Sequence, residues 1–293
     1  LLLRNFVLIK PGIGPADVLA AHSIPLISNN PGVGQNLQDQ FFFGINRGIS
    51  VPSTGAYLNT PSQQATALHQ YLQNASGPYS SAGGYLSFEK LPSKYREGFS
   101  PRTKELLNEF PEDWPEVEYI SPGFPSGSED FPTIGAITAI LMSPMSRGNV
   151  MLRSASISDP PVINLNWLTD VLDAEVMIAA FKRVREMWSY PALTDILVGP
   201  EIGPGEFVST DAEILVFIKR TAQTIWHASS TCAMGETVEK GAVVDSQAKV
   251  FGVKGLRVVD NSIMPFSLPG HPQASVYMLA EKIAHDIRKS QNC

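Results

Sequence analysis

The chain has 293 residues, 43% of them hydrophobic, and a formal net charge of −6. That content can bury a substantial core in one large or two medium domains, and the acidic balance gives no basic field for nucleic acid. No apolar run reaches the roughly eighteen residues of a membrane span.

The cysteines are Cys232 and Cys293, too few for a disulfide framework or a thiolate metal cluster. The compartment stays open between secreted and cytoplasmic. "NAS" at Asn74–Ser76 is a glycosylation acceptor pattern that matters only in a secreted chain. The sequence starts at Leu1, and "LLLRNFVLIKPGIGP" reads as a buried strand or helix already under way. It has no basic region followed by a small-residue cleavage site. The expectation is that an upstream part lies outside this sequence.

In chain order, two glycine turns come first, "GIGPAD" and "PGVGQNLQD". Between them "ADVLAAHSIPLI" predicts a short helix over Ala16–Ala21, stopped by Pro25, then a strand. "FFFGINRGI" predicts a strand, "SQQATALHQYLQ" an amphipathic helix and "GGYLSFE" another strand. Residues 89–132 are rich in Pro, Ser and charge and predict long loops with one helix in "SPRTKELLNEFPEDW". "PTIGAITAILMSP" has the density of a buried strand, and "GNVMLRS" alternates as an antiparallel strand does. "DPPVINLNWL" predicts turn and strand.

The clearest helix is Asp170–Trp188, with Val171, Ala174, Ile178, Phe181 and Val184 on one face. "STDAEILVFIKRTA" predicts a second, with Ser209 or Thr210 as its N-cap. Strands interleaved with long helices predict an α+β layer.

The last seventy residues hold the candidate chemistry. Leu256–Val259 predicts a short strand ending at Asp260, a position suited to accepting hydrogen bonds from sugar or ribityl hydroxyls. Taken alone, Asp260 reads more simply as a turn residue. A last helix begins after Gly270, with Pro272 in its first turn and Val276, Leu279, Ala280, Ile283 and Ile287 as its buried stripe. His271 therefore sits at a helix N-terminus, where the free N–H groups of Gln273 and Ala274 favour an anion. A second histidine, His227, lies in "TIWHASSTCAMG".

Three stretches, "IWHASSTCAMG", "GAVVDSQAKVFGVKGLRVVDNSIMP" and "PGHPQASVYMLAEKIAHDI", resemble the C-terminal region of the glucose–methanol–choline (GMC) oxidoreductases. These are FAD-dependent alcohol oxidases and dehydrogenases. Upstream, "PGIGP", "PGVGQNLQD" and "SPMSRGNVMLRSASISDPPVINLNWL" resemble the same family in the same order. The wording is closest to fungal members acting on aromatic or secondary-metabolite alcohols.

The resemblance implies a site built on His227 and His271. A neutral imidazole takes the alcohol's hydroxyl proton while hydride passes to flavin. His227 is the expected base and His271 the group that orients the substrate oxygen, with the reverse assignment open. It further implies that Asp260, Asn261, Pro272, Gln273 and Ala274 touch FAD, and that Asn36 lies near it. No metal is implied. The expected partner is a small-molecule alcohol, with aromatic alcohols among the candidates, and a homo-oligomer is an option.

The resemblance divides the chain into residues 1–40, a remnant of the FAD-binding region, residues 41–220, a GMC-type substrate domain with an antiparallel sheet and helices, and residues 221–293, a C-terminal FAD-binding and catalytic segment. The family's N-terminal Rossmann βαβ unit, with its G-x-G-x-x-G turn, is missing. "GIGPAD" has Asp17 and "GVGQNLQD" has Leu37 where the last glycine belongs. "KPGIGP" also carries Pro11 where the family has serine. The expectation is weak FAD binding by these residues alone.

Four other readings compete. A serine hydrolase would pair Ser229 or Ser230 with His227, but adjacent strand residues point to opposite faces and no G-x-S-x-G elbow occurs. A zinc site would use His227 and Cys232, without further ligands at suitable spacing. A family member could use the same pocket for non-redox cyclase or lyase chemistry. The chain could also be an inactive remnant, or half of a split protein. His22, His69 and His285 read as surface residues, and Cys232 as a small buried one.

Overall fold

A computed structural model of the chain describes residues 8–51, 58, 60–80, 84–122 and 133–290. The strand or helix expected over residues 1–7 and the loops expected over 123–132 lie outside the described residues.

Packing divides the chain into two units, one of residues 1–40, 142–173 and 224–293 and the other of residues 41–141 and 174–223. The block 41–220, expected to be continuous, is therefore interrupted by residues 142–173. Hydrogen bonding accounts for this. Leu37 and Gly148 exchange both backbone bonds at 2.9 and 2.8 Å, and Val150 N–H donates to Gly34 O at 2.7 Å. The approach is close enough that a Cβ on Gly34 (φ +82°) would lie 2.3 Å from the Val150 oxygen, so the second glycine turn has a packing reason. Asp173 holds the preceding loop by accepting from the N–H groups of Met145 at 2.7 Å and Ser146 at 3.0 Å.

The second unit is an antiparallel sheet with helices, the α+β architecture expected. The strand Phe41–Ile49 pairs with Ile134–Leu141 on one side and Leu197–Gly203 on the other. Beyond Ile134–Leu141 the sheet continues through Val117–Pro122 to Gly84–Glu89. Along Phe41–Ile49, Phe41, Phe43 and Ile45 are buried, the period-2 pattern of a sheet with one face in the core.

The helix Val171–Trp188 lays its residues from Ala174 onward in this unit. Phe43, Phe181 and Phe217 form an aromatic triad with centroids 5.7 to 6.3 Å apart, in tilted and edge-on geometries that ring quadrupoles favour. The buried face runs through Val176, Met177, Ala180, Phe181, Val184 and Trp188, whereas Val171 is 42% exposed. The expected stripe was thus set about one position off at its start. Thr210 rather than Ser209 caps the helix Asp211–Thr221, in a capping box with Glu213. Arg185 binds Glu201 through two hydrogen bonds of 2.7 and 3.0 Å, tying the helix to the strand Leu197–Gly203.

The first unit is built from loops around a core that includes Leu19, Val33, Cys232, Val243, Ile263 and Ile283. Ile13–Gly14, the helix Ala16–Ala21 and Ser28–Asn29 form a small parallel strand–helix–strand unit. Leu256–Val259 is not a strand. One bridge joins Arg257 to Lys249, and Asp260 instead caps a 3-10 turn, Asn261–Ile263, by accepting from Ser262 N–H at 2.8 Å. Gly252 and Gly255, both at positive φ, turn the chain before pairing can extend. The helix Gln273–Ser290 directs Ile283 into the core, with Leu279 and Ile287 packed against it.

Candidate active site

The first unit brings the two histidines together. Segment 37–40 runs antiparallel to 225–229, with Gln38 and Ser229 exchanging backbone bonds at 3.2 and 2.8 Å and Ile225 N–H reaching Gln40 O at 3.2 Å. This sets Asp39 and Gln40 beside His227. Asp39 Oδ1 accepts from His227 N–H at 3.1 Å, and Oδ2 accepts from Thr224 Oγ1 at 2.6 Å. Thr224 Oγ1 in turn accepts from Trp226 N–H at 2.8 Å. Trp226 sits at φ +62°, a costly conformation for a bulky residue, and these hydrogen bonds hold it there.

The His227 ring is anchored by Gln40, with Nδ1 and Oε1 2.6 Å apart. Burial, and after it the neighbouring His271, push the His227 pKa down to about 4. At neutral pH the ring is therefore uncharged and able to accept a proton. His271 meets it edge-on, with ring centroids 4.8 Å apart and planes at 78°. Burial pushes the Asp39 carboxyl up to about 6, with the Thr224 and His227 hydrogen bonds working in the opposite sense.

His227, His271, Asp260, Asn261, Pro272 and Gln273 line one open cleft of about 320 Å³, whose apolar walls are Trp226, Val276 and Tyr277. Ala274 is not among its lining residues; it lies in the first turn of the helix Gln273–Ser290. Asn36 also lies off the cleft, in the left-handed region at φ +60°. It connects indirectly: its Oδ1 accepts from Gln38 Nε2 at 3.5 Å, and Gln38 Oε1 accepts from Ser267 N–H at 2.9 Å, in the loop leading to His271. Behind His227 a crevice of about 10 Å³, lined by Gln40, Ser229, Asn261 and Ser267 among others, has room for about one water.

Asn261 is 4% exposed and donates its amide to the carbonyls of Ala228 at 2.9 Å and His227 at 3.3 Å. Its Oδ1 and the Ser262 hydroxyl are buried polar atoms without a hydrogen-bond partner among the described residues. A buried acceptor left open at the edge of an aromatic-walled cleft suits a flat heterocycle carrying an N–H. The first N–H groups of the helix Gln273–Ser290 lie at the same rim and favour negative charge there.

Sequence reasoning missed Asp39, Gln40 and Thr224. The first two end or follow the quoted "GQNLQD", yet nothing in their spacing points to a partner 188 residues away for Asp39 and 187 for Gln40. The serines behave differently from a regular strand. Ser230 takes φ +72°, which brings its hydroxyl within 3.1 Å of that of Ser229. Ser229 also hydrogen-bonds Gln38 O, while the His227 Nδ1 goes to Gln40 rather than to a serine. Cys232 is fully buried. Among the described residues no helix is long and apolar enough to cross a membrane.

Residues 144–280 match the family profile described as GMC oxidoreductase. Patulin synthase from Penicillium expansum is 45% identical over 298 aligned positions, covering 98% of this chain and 47% of that protein. An FAD-dependent oxidoreductase from Chaetomium thermophilum superposes with a TM-score of 0.81 at 28% identity, covering 97% of this chain and 53% of that one. A variant of Aspergillus oryzae formate oxidase, studied for modification of its FAD, gives a TM-score of 0.88 at 25% identity, covering 98% and 52%. The chain belongs to the GMC oxidoreductase family. It spans about half the length of the curated relatives it matches.

Proposed function

We propose that the protein carrying these residues oxidises a small alcohol with FAD as acceptor, and that His227 is the base. The observation that carries this reading is an imidazole anchored by Gln40 and in edge contact with a second one. His227 takes the hydroxyl proton. His271 orients the substrate oxygen. Asp39 and Thr224 hold the strained backbone that aims the base. Trp226 and Tyr277 supply flat apolar faces that suit an aromatic alcohol.

The residues fit the cofactor. The open Asn261 acceptor matches an imide N–H, and the helix start at Gln273 and Ala274 offsets negative charge. Asp260 lies at the cleft for a ribityl hydroxyl, while Asn36 acts through Gln38. FAD, when bound, supplies the two-electron acceptor for the hydride that leaves the carbinol carbon.

The 293 residues contain no G-x-G-x-x-G turn, so FAD binds them weakly unless a dinucleotide-binding unit is joined to them. The test is anaerobic mixing of FAD-loaded protein with benzylic and aliphatic alcohols. Bleaching of the oxidised flavin band together with carbonyl product supports the proposal. Product formed from an alcohol while the flavin stays oxidised favours the non-redox reading.

A further inference from the structure

We infer that Gln40 is a positioning residue that fixes the tautomer of His227, placing the ring proton on Nδ1 and leaving the lone pair on Nε2. Gln40 is fully buried. Its Nε2 lies 2.8 Å from the Met142 carbonyl and 3.0 Å from the Leu268 carbonyl. Carbonyl oxygens only accept, so the amide NH₂ must occupy that side, and both of its protons are used. The amide oxygen is then the atom facing His227, at 2.6 Å from Nδ1. An amide oxygen also only accepts. Nδ1 must therefore carry hydrogen.

A flipped amide would set its oxygen against two carbonyl oxygens, and an Nε2–H tautomer would set two acceptors 2.6 Å apart in a buried site. Both arrangements forfeit buried hydrogen bonds and add repulsion. Met142 and Leu268 thus determine, through Gln40, which imidazole nitrogen is basic. Three segments distant in sequence converge on that choice. The orientation matters because a base in the wrong tautomer presents a proton where it must present a lone pair.

This inference rests on the reading of His227 as the base, yet it can be tested in the chain itself without flavin. Nitrogen-15 histidine labelling and long-range proton–nitrogen correlation report the tautomer directly, with His227 assigned from the signal lost in His227→Gln. The expected wild-type spectrum at neutral pH shows a pyrrole-like Nδ1 and a pyridine-like Nε2. In Gln40→Met, which removes the acceptor, the two nitrogens shift toward averaged positions. FAD-loaded Gln40→Met reduces flavin roughly tenfold or more slowly, with a smaller change in substrate affinity.

A wild-type ring protonated on Nε2, or one already averaged, overturns the inference. So does a folded Gln40→Met with an unchanged single tautomer. Should Gln40→Met fail to fold, the wild-type spectrum decides alone. A correct tautomer in a protein that oxidises no alcohol would leave the Gln40 assignment standing and overturn only the proposed activity.

Discussion

The His227 and His271 imidazoles meet edge to face, with ring centroids 4.8 Å apart and planes at 78°. Burial, and after it the neighbouring His271, disfavour the protonated form of His227. In the proposed function one ring of the pair accepts a proton and the second donates to the same substrate oxygen.

A division of labour follows for His271. His271→Ala removes the donor and is expected to slow flavin reduction by about 10²- to 10³-fold. His271→Asn keeps an N–H near the same place and is expected to recover most of that loss. Anaerobic reduction rates of the two FAD-loaded variants check this. Equal losses in both would remove the orienting role.

The pH profile provides a separate check. The proposed base His227 must be unprotonated to act, and burial, followed by the neighbouring His271, lowers its pKa to about 4. The rate of flavin reduction should stay level as pH falls through 6.5 and decline only on approaching 4. A decline centred near 6.5, the ordinary histidine value, would show that the site does not hold the ring neutral.

Asp39 and His227 oppose each other in the pH dependence of stability. The folded pKa of Asp39 is raised from 3.8 to about 6, so between those values the folded state binds more protons and its contribution falls as pH rises. His227 is lowered from 6.5 to about 4, so across that window the unfolded state binds more protons and its contribution rises with pH. Asp39→Asn removes only the first effect. The melting temperature of the variant minus that of the wild type should climb from pH 4 to pH 6. A level difference would mean that the Asp39 carboxyl titrates normally.

Gly34 gives a prediction about the frame. An alanine there must adopt φ +82° and place its Cβ 2.3 Å from the Val150 oxygen. Strain of about 1–3 kcal/mol comes from the backbone alone, and the segment carrying Asp39 and Gln40 must move as well. Gly34→Ala should lower the denaturation midpoint by at least that much and weaken the anchoring of His227. A variant as stable as wild type would contradict the packing of residues 142–173 against this turn.

Much of the fold could be read in the sequence where one chain segment carries its own signal. Phe41–Ile49 reads as a strand, Val171–Trp188 has helical periodicity, and Gly270–Pro272 announces a helix start. Both histidines stood out because each interrupts a small-residue loop beside a recognisable element. The interruption at residues 142–173 had no compositional mark, because it depends on backbone bonds from Gly148 and Val150 to residues more than a hundred positions away. Gln40 was equally hidden. A buried glutamine has no periodicity, and its role exists only where the Met142 and Leu268 carbonyls arrive. The Leu256–Val259 strand was expected from apolar content alone, which cannot reveal that flanking glycines end the pairing.

The most direct measurement is stopped-flow reduction of FAD-loaded His227→Ala by the best alcohol substrate, under anaerobic conditions. The expected result is a flavin content equal to that of the wild type and reduction slower by about 10²- to 10⁴-fold. Reduction at the wild-type rate, with the flavin fully bound, would contradict it.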